Sequence, residues 1–340
     1  MSSKRLSREF AMRETGLWED GKRSAARVAI IVAVGCALTG VLLSGAARGQ
    51  DVEAVLKGKI TELEAENKAL RLLLGQIQTV LGKTPPAVKS EMQRNAKFRL
   101  FVSPGDWGSS SLVDVKKVCE SAGLAFAPHL GQAIAAPLLV ENDGTGPITL
   151  YRRGENNEHI VRLNSVDRAW AQLAFQFSHE LCHVMCNYRN VENEQLWFEE
   201  TLCECASLFA LRQMAETWKS NPPYSNWKSY SSALNDYAME RLKEQGTGTE
   251  PLKDIYRANR PELEALGTNR NLNNMIAARL LPLFEKNPAA WEAVRFINLG
   301  PVVENRTFER YLSGWHSRVP EQHKAFVVQL AEEFGIPLGS

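Results

Sequence analysis

From Val28 to Ala47 the chain reads VAIIVAVGCALTGVLLSGAA, without one charged residue. Such a run has few homes. As a helix rising about 1.5 Å per residue, it is long enough to cross a hydrocarbon core of about 30 Å. Arg27 and Arg48 bracket it; Lys4, Arg5, Arg8, Arg13, Lys22 and Arg23 lie further upstream, and only Lys57 and Lys59 follow Arg48 closely. Positive charge tends to stay on the cytoplasmic side. The pattern predicts a cytoplasmic tail over 1–27, a transmembrane signal-anchor over 28–47, and an extracytoplasmic remainder. The alternative is a cleaved signal peptide, with Ser44, Gly45 and Ala46 as small residues at the cut and a secreted product. The long tail, and an apolar run beyond the usual signal core of about 7–15 residues, favour the anchor.

A second pattern follows at once. Leu56, Ile60, Leu63, Asn67, Leu70, Leu74, Ile77 and Leu81 alternate spacings of four and three. This is a heptad seam, and it predicts a coiled coil over 51–82. Asn67 is the one polar residue in the seam; a buried Asn there favours a register-fixed pair of strands, so a parallel homodimer is expected. Gly58 and Gly75 weaken the helix, and a lone amphipathic helix packed on the following domain is the alternative reading. Pro85 and Pro86 then stop the pattern, and 83–96 reads as a linker.

Over 97–338 the text becomes that of a folded domain. Short strand-like runs occur at Phe98–Ser103, Pro137–Glu141, Ile148–Arg152 and His159–Asn164, with a helical run at Leu112–Ala122. Beyond Ser165 the period is helical through to Phe334. Strands first and helices afterwards predict an α+β fold. A formal net charge of +1 shows no basic excess, so nothing points to nucleic acid.

The first long helix, expected to open with Asn164 and Ser165 as caps and Asp167 in its first turn, carries His179-Glu180-Leu181-Cys182-His183. Residues four apart lie about 40° from each other around a helix, so both imidazoles can reach one ion. Glu180 is turned about 100° away from His179 and is placed to reach a water beside the ion. A catalytic zinc site also needs a third protein ligand and an open position. Downstream, Leu196–Met214 reads LWFEETLCECASLFALRQM, with Glu199, Glu200 and, one turn after Glu200, Glu204.

This pairing resembles the gluzincin peptidases, the thermolysin-like and aminopeptidase-like enzymes, in which H-E-x-x-H on one helix is joined by a glutamate on the next. Trp197-Phe198-Glu199-Glu200 resembles the W-x-x-E form, and Glu204 its acidic follow-on. The resemblance implies a zincin-like domain with a small mixed sheet and a helical C-terminal lobe. It implies Zn2+ held by His179, His183 and Glu200, with Glu180 as general base. Glu204 and Glu199 would be the supporting carboxylates, Glu199 being also the rival third ligand. It implies, further, that His159–Asn164 is the sheet's edge strand, available to pair with a peptide substrate, an ordinary sheet strand being the equal alternative, and that one of Tyr224, Tyr230, Tyr237 and His316 faces the developing oxyanion.

Cys182, Cys186 and Cys203 fall at i+3 and i+7 from His179 and i+3 from Glu200. Packing beneath the site, a disulfide, and thiolate ligation all fit that spacing, packing best. Trp291, Phe308 and Trp315 read as core, and His129, His159 and His323 as ordinary surface or strand residues. The whole describes a membrane-tethered zinc peptidase acting on peptides or proteins. The rival is a non-catalytic envelope scaffold dimerised by its coiled coil.

Overall fold

Short apolar runs, bounded by Gly, Asn and Asp turns, form the sheet. The computed structural model describes Gly58, Thr61 and residues 98–338 apart from 133, 192, 194, 245–249 and 303–306. The expected tail, anchor and linker lie outside the described residues, as does the heptad segment apart from Gly58 and Thr61. Among the described residues no helix is long and apolar enough to cross a membrane.

Four strands, β1 (Leu100–Val102), β2 (Leu138–Glu141), β3 (Ile148–Arg153) and β4 (His159–Arg162), make one mixed sheet in the order β1-β2-β4-β3. β1 and β4 run parallel to β2, with Leu138 opposite His159 and Val140 opposite Val161, while β3 returns antiparallel to β4. Helix α1 (Leu112–Leu124) joins β1 to β2 and buries Val115, Val118 and Cys119.

The expectation that His159–Asn164 forms the edge is overturned. β4 lies inside the sheet, and the edge is β3. Burial explains the order: consecutive Ile160 and Val161 are both buried, as an interior strand requires, whereas β3 leaves Ile148 and Tyr151 exposed. Asn157, at φ 64°, makes the turn that brings β4 back between β3 and β2.

The helices follow: α2 (Trp170–Met185), α3 (Leu196–Trp218), α4 (Tyr230–Glu244), α5 (Leu252–Leu266), α6 (Arg270–Lys286), α7 (Trp291–Val294), α8 (Phe308–Arg318) and α9 (Glu321–Glu333). The fold is α+β and mostly helical. α2 starts later than its cap signals predict, because those side chains are engaged elsewhere. Asn164 donates to the Gly146 carbonyl and accepts from Gln176, and Ser165 donates to the Ala169 carbonyl. Asp167, at φ 54°, accepts from both the backbone and hydroxyl of Ser109. They pin the loop before α2 to the loop after β1, and the helix begins on Ala169 with no side-chain cap.

α3 runs through the middle of the helical part and is buried on nearly every side, from Trp197 to Trp218. Two aromatic groups grip it. Near its start Trp197 stacks on Tyr256 at 5.7 Å and meets Phe308 at 4.8 Å; further along, Phe209 meets Trp291 at 5.3 Å. Trp291, Phe308 and Trp315 are core, as expected, whereas His323 is buried too. At the end of α5, Gly267 takes φ +56°, which a glycine adopts without steric cost, and turns the chain into α6.

Trp197 is fully buried and joins α3, α5 and α8. Trp197→Ala is expected to lower unfolding free energy by about 3–5 kcal/mol, measured by denaturant titration followed by circular dichroism. A loss below about 1 kcal/mol would show that this aromatic group does not hold the helices together.

Candidate metal centre

α2 and α3 pack side by side, and the residues between them are small: Ala174, Ser178, Cys182, Cys203, Ala206, Ser207 and Ala210 are fully buried. Ser207 donates across the joint to the Phe175 carbonyl at 2.9 Å. That approach brings the acidic start of α3 against the histidines of α2. His179 Nε2 lies 3.3 Å from Glu200 Oε2, and His183 Nε2 lies 3.6 Å from Glu200 Oε1. The other ring nitrogens face away: His183 Nδ1 is 2.8 Å from Glu199 Oε1, and His179 Nδ1 is 3.8 Å from Glu204 Oε2. The first is a hydrogen bond; the second is too long to be one.

Donors bound to one tetrahedral ion at about 2.1 Å stand about 3.4 Å apart. Both imidazole-to-Glu200 spacings fall near that value, but they run to different oxygens of the carboxylate. The donor atoms that all lie within 4.8 Å of one another are those of His179, His183 and Cys203. The two candidates for third ligand differ in setting. Cys203 has no exposure, and burial and neighbouring thiols keep it protonated, whereas Glu200 borders the cavity and its carboxyl is held below its ordinary value. For Glu200, burial pulls upward and is outweighed by the bond to His179 and the charge of His183. Ionisation thus favours Glu200, and distance favours Cys203.

The histidines respond to the same field. Burial drags both imidazoles down, but the bond to Glu200 and the charge of Glu180 carry His179 upward, and the bond to Glu199 takes His183 to about 10. Glu204 goes the other way, raised mainly by burial. Four carboxylates round two imidazoles favour positive charge at the ring nitrogens, and the field that holds protons there would equally favour a metal cation.

The centre opens on a cavity of about 760 Å³ bordered by Glu180, Tyr188, Tyr237, Arg241 and Arg270 and by the edge strand β3. Glu180 is buried, and Thr149 of β3 donates its hydroxyl to Glu180 Oε2 at 2.7 Å. Tyr188 donates to the Leu150 carbonyl at 2.7 Å and stacks on Tyr151, so β3 is tied to the loop after α2. Of the oxyanion candidates only Tyr237 borders the cavity; its hydroxyl accepts from Arg241 at 2.9 Å. Tyr224, Tyr230 and His316 stand away from it.

No protein-family model matches the chain, nor does any curated protein or solved structure. The site therefore rests on its own geometry.

Among the described residues every cysteine is a free, buried thiol. Cys182, Cys186 and Cys203 lie within 4.8 Å of one another, a spacing that fits packing between α2 and α3 and equally a thiolate metal site. Sequence reading missed Thr149, Asn298 and Tyr311. Asn298 donates to Glu199 Oε2 at 2.6 Å, and Tyr311 donates to Asn298 Oδ1 at 2.9 Å. Alternation along β3 would point Ile148 and Leu150 inward and Thr149 outward, whereas Thr149 is buried and Ile148 exposed. No spacing signal reaches as far as 298 or 311.

Thr149→Val keeps the shape and removes the hydroxyl from a buried carboxylate. It is expected to cost about 1.5–3 kcal/mol of stability in denaturant titration, and to leave metal content unchanged, since Thr149 touches no candidate ligand.

Proposed function

We propose that this chain is a membrane-tethered zinc-dependent peptidase of the gluzincin kind, its domain zincin-like. The approach of His179 Nε2 and His183 Nε2 to the two oxygens of the Glu200 carboxylate, at 3.3 and 3.6 Å, is the observation that supports it most. Held there, Zn2+ would supply Lewis acidity, polarising a peptide carbonyl and acidifying water near neutral pH.

The protein's own groups do the rest. Glu180 accepts the proton of the attacking water and returns it to the leaving nitrogen, and Thr149 fixes the carboxylate's direction. Glu199 holds the His183 ring, and Glu204 sets the charge behind His179. The unpaired side of β3 offers an extended peptide a row of backbone donors and acceptors beside the cavity. Tyr237 and Arg241 also border the cavity and serve as donors for an oxygen that gains charge. Val28–Ala47 anchors the enzyme, and the heptads of 51–82 pair two copies, with the peptidase domain outside the cytoplasm. A non-catalytic scaffold has no use for a carboxylate held over an open cavity by a dedicated hydroxyl, which favours the hydrolytic reading.

Elemental analysis of the purified protein is expected to give close to one zinc per chain, lost in His183→Ala. Glu180→Gln is expected to keep the zinc and lower peptide hydrolysis by about 10²–10⁴-fold, read on a mixed peptide library by mass spectrometry. Absence of zinc after metal is supplied at neutral pH would sink the peptidase reading.

A further inference from the structure

Glu199 is bound on both sides. Its Oε1 faces His183 Nδ1 at 2.8 Å and its Oε2 accepts from Asn298 at 2.6 Å, while Asn298 Oδ1 accepts from Tyr311 at 2.9 Å. All three residues are at most 5% exposed, so their polar groups depend on protein partners rather than bulk water.

The directions in this line are fixed by chemistry. A carboxylate only accepts, so the Asn298 atom facing Glu199 must be the amide nitrogen. The Asn298 oxygen then turns to Tyr311, whose phenol is a donor at neutral pH. With Oε2 occupied by Asn298, Oε1 is left to take the proton of His183 Nδ1. With a metal on Nε2, the one remaining ring proton of His183 would sit on Nδ1, toward Glu199. Asn298 lies 99 residues beyond Glu199, and Tyr311 sits on α8 in the far helical lobe.

We propose that Asn298 and Tyr311 are positioning residues for the metal centre: through Glu199 they fix the tautomer and angle of His183, and so set how tightly a metal is held. The inference rests on the metal-site reading above. Without the Asn298 amide, Glu199 gains a second free direction and a buried unpaired oxygen, and the His183 ring loses its fixed seat. Tyr311 acts one step further out, by holding the amide in the orientation that donates.

The test uses the full chain, with zinc affinity measured by competition against a chelator and the electronic absorption of the cobalt(II)-loaded protein as a second readout. Asn298→Leu, similar in size but without a donor, is expected to weaken zinc binding about 10–100-fold and to change the cobalt spectrum. Tyr311→Phe, which removes one oxygen, is expected to weaken it less, and carries the test if Asn298→Leu does not fold. The double variant should be no weaker than Asn298→Leu alone, as the proposal has Tyr311 act through Asn298. Phe326→Leu, a core change in the same lobe, should lower melting temperature without changing zinc affinity. Zinc affinity within twofold of the parent in folded Asn298→Leu or Tyr311→Phe, whatever their melting temperatures, would overturn the proposal. A parent chain that binds no zinc would instead overturn the metal-site reading, and this inference with it.

Discussion

The close approach of α2 and α3 is the contact on which the rest depends. A helix carrying two imidazoles is not a metal site until a second helix brings carboxylates within a few ångströms. Alanine, serine and cysteine at the joint let the two backbones come together, and Ser207 bonds one helix to the other. A larger side chain at Cys203 or Ala206 would push Glu200 out of reach of the imidazoles. The buried thiols thus do geometric service: cysteine is a small hydrophobe, suited to a gap where valine would be too wide.

Burial sets the electrostatics that follow. Glu180, Glu199 and Glu204 are largely removed from water and Glu200 partly so, at a cost that only compensating groups can offset. Thr149, Asn298 and the imidazoles provide the hydrogen bonds. Arg241 and Arg270 add positive charge from the cavity wall, felt at Glu204. The imidazoles, drawn toward the protonated form, balance part of the remainder, and a divalent cation would balance more. Fold and proposed chemistry meet here: the same carboxylates that strain the interior shape the seat for an ion.

Much of this was legible in the sequence. The H-E-x-x-H run reports its own geometry because a helix has one period, and the four strands and the aromatic core came from local alternation and residue type. What local pattern cannot carry is pairing. β4 follows β3 in the chain but sits inside it in the sheet, a matter of which strand buries both faces. Ser165 and Asp167 have the chemistry of helix caps yet hold a loop, because Ser109 competes for Asp167. Glu199 and Glu200 are adjacent letters with opposite tasks, separated only by the helix's turn toward His183 Nδ1 or Nε2. Asn298 and Tyr311 had no signal, since Asn298 lies 99 residues from Glu199 and Tyr311 bonds to Asn298.

That distance has a consequence for how the molecule comes into being. A ribosome releases the chain from its N-terminal end, so both histidines and all four glutamates emerge well before Asn298 and α8. Until then Glu199 has His183 but not its second partner, and the centre exists only as an unfinished pair of helices. The last third of the chain therefore completes the site as well as covering it. A protein arranged this way acquires the finished surroundings of its two histidines late in synthesis, after most of the polypeptide has left the machinery that made it.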